Sequence, residues 1–197
     1  MKFQELLAAE FRPYGELSKQ QLAALERHYE LLLHWNKRLN LTRIVELEDA
    51  VRLHYCESLL LAQNLPPGTL AIADLGSGAG FPGIPVAVLR PEARVVLVES
   101  DSRKAVFLRE ASRELHNSEV AMMRLEACRR HFDWVVSRAV APERVLSSGL
   151  AENFALLMAP DAAPPGSQVL NLPWGRARAL VIVSRGTLPV SRETNPC

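Results

Sequence analysis

One stretch constrains this chain more than any other: D-L-G-S-G-A-G-F-P-G-I-P, Asp74 to Pro85. It stands directly after a short apolar run and directly before a segment that Pro82 and Pro85 can start as a helix. Glycine lets the backbone turn tightly and approach a ligand with no Cβ in the way. A strand, a glycine turn and a helix in that order therefore make a seat for a nucleotide-like molecule. Spacing alone leaves two readings open. Gly76-x-Gly78-x-Gly80 and Gly78-x-Gly80-x-x-Gly83 are both present, and the second is the spacing of a dinucleotide oxidoreductase.

Around this loop the chain alternates short apolar runs with helix-length segments: LAIAD (70–74), RVVLVE (94–99), EVAMMR (119–124), FDWVVS (132–137) and FALLM (154–158). Strands alternating with helices of about 8 to 15 residues predict an α/β fold with a mostly parallel sheet covered on both faces. After Pro160 the runs QVLNL (168–172) and ALVIV (179–183), joined by six residues with a Pro-Trp-Gly turn, predict an antiparallel hairpin at one sheet edge. Ahead of the loop the pattern is helical. Ser18 with Gln21 has capping-box spacing, and Leu22, Leu25, Tyr29 and Leu32 make one apolar face of a helix running to about Trp35. A second helix is expected from Leu47 to Leu61, before Pro66, Pro67 and Gly68 end the helical part. At 197 residues, against a prior of roughly 100 to 200 per domain, the chain divides into a helical element (1–64) and one sheet domain (65–197).

Charge and cysteine usage narrow the setting. The chain has 23 basic and 22 acidic side chains, so no whole-protein field pulls it onto nucleic acid or a membrane; any RNA contact must be local. Arg129, Arg130, Arg176, Arg178 and Arg185 are candidates for a basic rim with Arg138. Cys56, Cys128 and Cys197 lack metal-ligand spacing and suit a reducing compartment. Gln4, Glu5 and Glu10 interrupt the apolar stretch a signal peptide needs, and no run is long enough for a membrane span, so a cytoplasmic protein is expected. His54 and Glu57, three apart, could be half of a metal site, but there is no second His or Cys cluster; they are read as orienting a loop at the helix-to-sheet junction, with no metal. Trp35 beside an apolar helical stripe is read as core.

Two acids refine the ligand. Glu99, 21 residues after Gly78, falls at the end of the second strand, where a carboxylate can accept both ribose hydroxyls of a nucleoside. Asp74, at the end of the first strand, would repel a pyrophosphate but suits S-adenosylmethionine, which has no phosphate and carries a sulfonium and an ammonium. The alternative for Asp74 is that it caps the loop by bonding backbone amides.

W-N-K-R-L-N-L-T (35–42), H-Y-C-E-S (54–58), the glycine loop (74–85) and S-R-A (137–139) resemble, in order and spacing, the bacterial small-subunit ribosomal RNA methyltransferase G family, also called glucose-inhibited division protein B. The resemblance runs from about Ser18 to Ala141. It implies a Rossmann-like class I methyltransferase that uses S-adenosylmethionine to methylate N7 of one guanine in 16S rRNA, free or within the small ribosomal subunit or its precursor. By the same resemblance Gly76, Gly78 and Phe81 belong to the cofactor loop with Asp74, and Glu99, Ser100 and Asp101 lie along the adenosine. Leu125 and Glu126 fall beside the adenine, and Arg138 positions substrate or holds the methionine carboxylate.

Departures accompany the match. Where such chains commonly carry A-L-K-G, this one reads Ala155-Leu156-Leu157-Met158, and only seven residues separate Pro160 from Gln168, too few for a helix there. A methyltransferase with another substrate, and a cofactor-binding module with lost catalysis, are the alternatives. An RNA enzyme should gather arginines around the open end of the cofactor cleft, with no deep apolar pocket; a closed pocket would favour another substrate. Guanine N7 has an in-plane lone pair and no proton to lose, so the reaction asks for approach and for tolerance of a positive purine, not for a general base.

Overall fold

The computed structural model describes residues 2–175 and 177–184; of the residues singled out above, Arg176, Arg185 and Cys197 fall outside them. Seven strands form one sheet: β1 (Ala71–Leu75), β2 (Arg94–Glu99), β3 (Ser118–Met122), β4 (Trp134–Arg138), β5 (Asn153–Met158), β6 (Gln168–Asn171) and β7 (Ala179–Ser184). Their order is β3-β2-β1-β4-β5-β7-β6. The first five are parallel, and β7 runs antiparallel to both β5 and β6, which gives the expected edge hairpin.

Alternation along the strands sorts the core. Ile72, Val95, Leu97, Trp134, Val136, Ala155 and Leu157 face one side, while Ala73, Val96, Val98, Val135, Phe154 and Leu156 face the other. On the first side the sheet is covered by α4 (Glu57–Gln63), α5 (Gly83–Leu89) and α6 (Ser102–Ala111), and then by α1 (Phe3–Phe11) and α2 (Lys19–Leu39). The other side differs from expectation. Its cover is the five-residue α7 (Pro142–Leu146), the short turn Leu125–Ala127 and loop residues such as Cys128, Phe132 and Leu150, in place of full-length helices.

The helical part has one more element than the sequence reading gave it. α1 buries Phe3, Leu6, Leu7 and Phe11. The capping box forms at the start of α2: the Gln21 amide donates to Ser18 Oγ at 3.2 Å and Ser18 N–H to Gln21 Oε1 at 2.9 Å. That helix passes Trp35 and stops at Asn40, which is left-handed at φ 45°. The helix expected from Leu47 begins as α3 (Leu47–Ala50), widens into a π-helical stretch (Val51–Cys56), and continues as α4. Such a widening re-aims side chains and recurs at functional sites. Here it turns His54 and Tyr55 inward, both buried. Among the described residues no helix is long and apolar enough to cross a membrane.

Candidate active site

Strand order reverses between β1 and β4, and in open α/β sheets ligands collect in the crevice beyond the carboxyl ends of the strands at such a switch point. Four loops meet there: the glycine loop after β1, Ser100 after β2, Leu125-Glu126 after β3, and Ala139-Val140 after β4. They enclose a cavity of about 410 Å3 whose wall includes Gly76, Ser100, Leu125, Glu126, Val140 and Arg144. That volume lies within the roughly 300–1,000 Å3 typical of small-molecule sites.

Gly76 must be glycine for two reasons. Its φ is +74°, and a Cβ there would stand 2.4 Å from Val140 Cγ2. The loop spends its amides on itself. Gly76 and Ser77 N–H donate to the Val98 carbonyl, Gly80 N–H to the Ser77 carbonyl, Gly78 N–H to Glu99 Oε2 and Gly83 N–H to Asp74 Oδ2. A pyrophosphate seat needs such N–H groups aimed at the ligand. With these donors committed, the loop suits a ligand without phosphate, which argues against the dinucleotide spelling of the glycines.

The structure separates two groups among the residues expected at the cofactor. Gly76, Ser100, Leu125 and Glu126 line the cavity. Glu99, 8% exposed, stands at the loop's flank, where Oε2 accepts from Gly78 N–H at 2.9 Å and Oε1 from Asp101 N–H at 2.8 Å. A carboxylate has about four lone-pair sites, so both oxygens retain acceptor capacity. Gly78, at φ +54°, forms the turn that Glu99 holds.

Asp74, Phe81 and Asp101 are placed otherwise than at the cavity wall. Asp74 is fully buried beneath the loop, and burial pushes its pKa up to about 7 against the Ser77 and Gly83 hydrogen bonds that oppose the shift. The capping alternative describes it: it ties Gly83, and so the start of α5, to the end of β1. Phe81 is 2% exposed, stacked on His54 with ring centroids 4.5 Å apart and edge-on to His28 and Tyr55. Asp101 caps α6, accepting from Arg103 and Lys104 N–H. Motif spacing puts all three beside the site, but each faces the protein's interior or its own helix.

Arg138 ends β4 at the edge of a second cavity of about 500 Å3, which shares Val140 with the first and is walled by His54, Ala139, Pro142, Leu157, Met158 and Arg178 among others. Its Nη1 donates to the Leu53 carbonyl at 3.1 Å and to His54 Nδ1 at 2.8 Å, and its guanidinium lies 5.0 Å from the centre of the Phe81 ring. Burial, then Arg178, lowers its pKa to about 10, so it stays charged at neutral pH. His54 accepts at Nδ1, so its Nε2 carries the proton, donated to Thr42 Oγ1 at 2.9 Å. Burial and Arg138 hold its pKa at about 2. His54 is therefore a fixed neutral brace and no base. Glu57 pairs with Arg178 Nε at 2.8 Å, so both members of the imagined half metal site hold arginines.

The basic rim divides. Arg138 and Arg178 converge on the Leu53 carbonyl at the second cavity. Arg130 pairs with Glu119, and Arg129 donates to the Glu126 and Cys128 carbonyls. Trp35 is half-buried, edge-on to Phe107, with its Nε1–H on Glu110. Two residues at the first cavity went unread in the sequence: Val140, which closes on Gly76, and Arg144, paired with Glu126.

The sequence pattern of rRNA small subunit methyltransferase G matches residues 21–154, more than half of the chain. The chain belongs to this family. Proteins named ribosomal RNA small subunit methyltransferase G from Halorhodospira halophila and Desulforamulus reducens are 40% and 36% identical to it over 151 and 141 residues, covering 75% and 67% of this chain. One from Nitrosospira multiformis is 45% identical over 127 residues, 62% of the chain. The matches span 69%, 59% and 58% of those relatives' own lengths in the same order, so the chain spans about three fifths of two of them. Among solved structures, an S-adenosylmethionine-dependent methyltransferase from Aquifex aeolicus superposes with a TM-score of 0.52 at 14% identity, covering 68% of this chain and 92% of that one. The ribosomal protein L11 methylase of Lactobacillus delbrueckii subsp. bulgaricus gives 0.52 at 17%, covering 68% and 79%. At such identities they establish the class I methyltransferase fold.

Proposed function

We propose that this protein, acting in the cytoplasm, transfers the methyl group of S-adenosylmethionine to N7 of a guanine in 16S rRNA. The observation that carries the reading, within the family just named, is the pair of adjoining cavities. One has a nucleoside-sized volume and is lined by Val98 and Ser100, the chain neighbours of Glu99; the other is open and held by two arginines, and both share the Val140 wall. A glycine loop whose amides are internally spent and an acid placed for ribose hydroxyls fit that cofactor, and no phosphate seat competes with it.

When bound, S-adenosylmethionine supplies a methyl carbon made electrophilic by the sulfonium. The chain's own residues do the rest. Glu99 accepts from ribose hydroxyls, Leu125 and Gly76 pack the nucleoside, and Ser100 and Glu126 offer polar contacts at the base. On the acceptor side, Arg138 is immobilised by Leu53, His54 and Phe81, so its guanidinium can hold guanine O6 while N7 stays open. Leu157, Met158 and Pro142 supply apolar wall for the purine plane. Among the described residues of this cleft none is set up to take a proton: His54 is committed at both nitrogens and Glu57 is held by Arg178. That suits an acceptor with no proton to lose and does not suit an amine or ribose oxygen. The second cavity is open and carries Arg138, Arg178 and His54 on an otherwise apolar wall, unlike the closed pocket that a small apolar substrate would require.

The deciding experiment uses labelled S-adenosylmethionine with naked 16S rRNA and with small subunits from cells that lack the modification. The expected product is 7-methylguanosine, detected as chain cleavage after borohydride and aniline. Label on N1, N2 or a ribose oxygen, or no transfer to either substrate, overturns the reading.

Two expectations follow for binding. Glu99→Ala strands two backbone N–H groups and removes charge-assisted bonds to the ribose, so affinity for S-adenosylmethionine should fall about 10- to 150-fold in a calorimetric titration. RNA binding rests on local arginines, so its affinity should fall steeply with salt, and Arg178→Gln should reduce the log-log slope by about 0.7 to 0.9 for each phosphate contact it removes. An unchanged titration in the first case, or salt-independent binding in the second, would contradict the assignment.

A further inference from the structure

We propose that His28 is a positioning residue for the glycine loop: reaching in from the helical element, it holds the Ala79 carbonyl, and with it the Gly78–Gly80 backbone, in the shape that receives the nucleoside. The proposal rests on the cofactor reading above, but the tether itself is a property of the chain alone.

His28 sits on α2, 51 positions before Ala79 in sequence, yet its Nε2 is 3.0 Å from the Ala79 carbonyl oxygen. A carbonyl can only accept, so Nε2 carries the ring proton and donates it. That leaves Nδ1 as an acceptor, and the hydroxyl of Tyr55 stands 3.0 Å from it as donor. Both residues are buried, His28 at 2% exposure and Tyr55 completely. Each ring nitrogen has its partner, and the Tyr55 hydroxyl selects the tautomer that can donate to the loop. Burial keeps the ring neutral, with a pKa lowered to about 4, so this tautomer persists through the neutral range.

The contact falls between two glycines in the left-handed region. Gly78 and Gly80 on either side of Ala79 have φ of +54° and +89°, and a Cβ on Gly80 would approach His28 Nε2 to 3.0 Å. The ring thus underlies the turn as well as bonding it. On the opposite flank Gly78 N–H is fixed by Glu99. Ala79 is therefore held from the helical element and Gly78 from β2. Loosening either hold frees a segment that positive-φ glycines leave otherwise mobile. Tyr55 is available for this task because the π-helical stretch turns it inward.

The test compares His28→Phe, which keeps an aromatic ring but no donor, with His28→Gln, whose side-chain amide can reach the same carbonyl. Two quantities are read: affinity for S-adenosylmethionine, and hydrogen exchange of a peptide spanning 76–82 against one spanning β2. His28→Phe should weaken the cofactor about 10-fold or more and speed exchange in the loop, while His28→Gln recovers most of both. KM for RNA at saturating cofactor should change less than cofactor affinity does, since the Gly78–Gly80 turn is not part of the second cavity's wall. Wild-type affinity in His28→Phe, or a loss in His28→Gln as large as in His28→Phe, overturns the proposal and leaves ring packing as the whole role. Should wild-type protein itself fail to bind S-adenosylmethionine, the cofactor reading falls, and the exchange comparison still decides the tether. Should His28→Phe fail to fold, Tyr55→Phe must show the same faster loop exchange; unchanged exchange there overturns the proposal.

Discussion

Gly83→Ala should lower the midpoint of thermal unfolding by about 2–12 °C, from an overpacking cost of about 1–3 kcal/mol in a chain of this size. A Cβ at Gly83 would stand 2.3 Å from Leu97 Cδ2, 2.5 Å from Asp74 Oδ2 and 2.8 Å from Asp74 Cβ. None of these can retreat easily. Leu97 and Asp74 lie fully buried on adjacent central strands, and Asp74 Oδ2 is the acceptor for Gly83's own N–H. Helix α5 must therefore lift off the sheet or Asp74 must give up its only hydrogen bond to that helix. Either movement disturbs the glycine loop, so cofactor affinity should fall along with stability. Gly68→Ala is the control: it has φ +113° but nothing within 4 Å of its Cβ, and it should cost only the backbone strain. Differential scanning fluorimetry of the two variants checks the contrast, and equal shifts would show that crowding under the loop is not the cause.

Gly83 also illustrates how far a sequence can be read here. Strand positions were legible because buried parallel strands are written as short runs such as V-V-L-V, and the observed ends fall within about two residues of them. The Ser18–Gln21 cap was legible because its partners are three residues apart. Helix α1 is also written in the chain, since Phe3, Leu6, Leu7 and Phe11 stand at i, i+3, i+4 and i+8, the spacing of an amphipathic helix. Spacing located Asp74, Phe81 and Asp101 along the chain but could not say which way each side chain turns, and the inward direction is set by tertiary partners. Phe81 has a slot between His28 and His54, residues 53 and 27 positions upstream of it. Of the rim candidates among the described residues, Arg178 joins Arg138, while Arg130 has a carboxylate within reach at Glu119 of β3 and pairs with it there. The same limit hid Val140, whose contact with Gly76 joins two strand ends that only the parallel pairing of β1 with β4 brings together.

Arg138→Ala should reduce kcat/KM on RNA by about 10²-fold, the scale expected when a group that orients a reacting partner is lost. Binding of S-adenosylmethionine should change much less, because Arg138 lines the second cavity and not the first. Arg138→Lys should rescue little. An ammonium cannot lie flat over the Phe81 ring while bonding both the Leu53 carbonyl and His54 Nδ1. A purely electrostatic role would predict rescue, so a lysine variant at wild-type rate would remove the orienting argument. Stability supplies a separate readout through His54. Its folded pKa of about 2 lies below the unfolded value of 6.5, so the unfolded chain binds the extra proton. This stability is present above pH 6.5 and is lost as pH falls from there toward 2. Removing the Arg138 guanidinium takes away the second-largest cause of that depression, and the folded pKa rises toward the unfolded one. Stability of Arg138→Ala should therefore decline less steeply than wild type between about pH 4.5 and 3, where a folded pKa raised from about 2 comes into range. Other groups do not reverse the sign. Across that range Asp74 is protonated when folded in both proteins, so its contribution is common to them. Glu57, whose pKa burial already raises, loses an attractive cation as well and shifts further up, which flattens the decline in the same direction. Urea unfolding of the two proteins across that pH range measures the difference, and parallel curves would mean that His54 does not sense the arginine it braces.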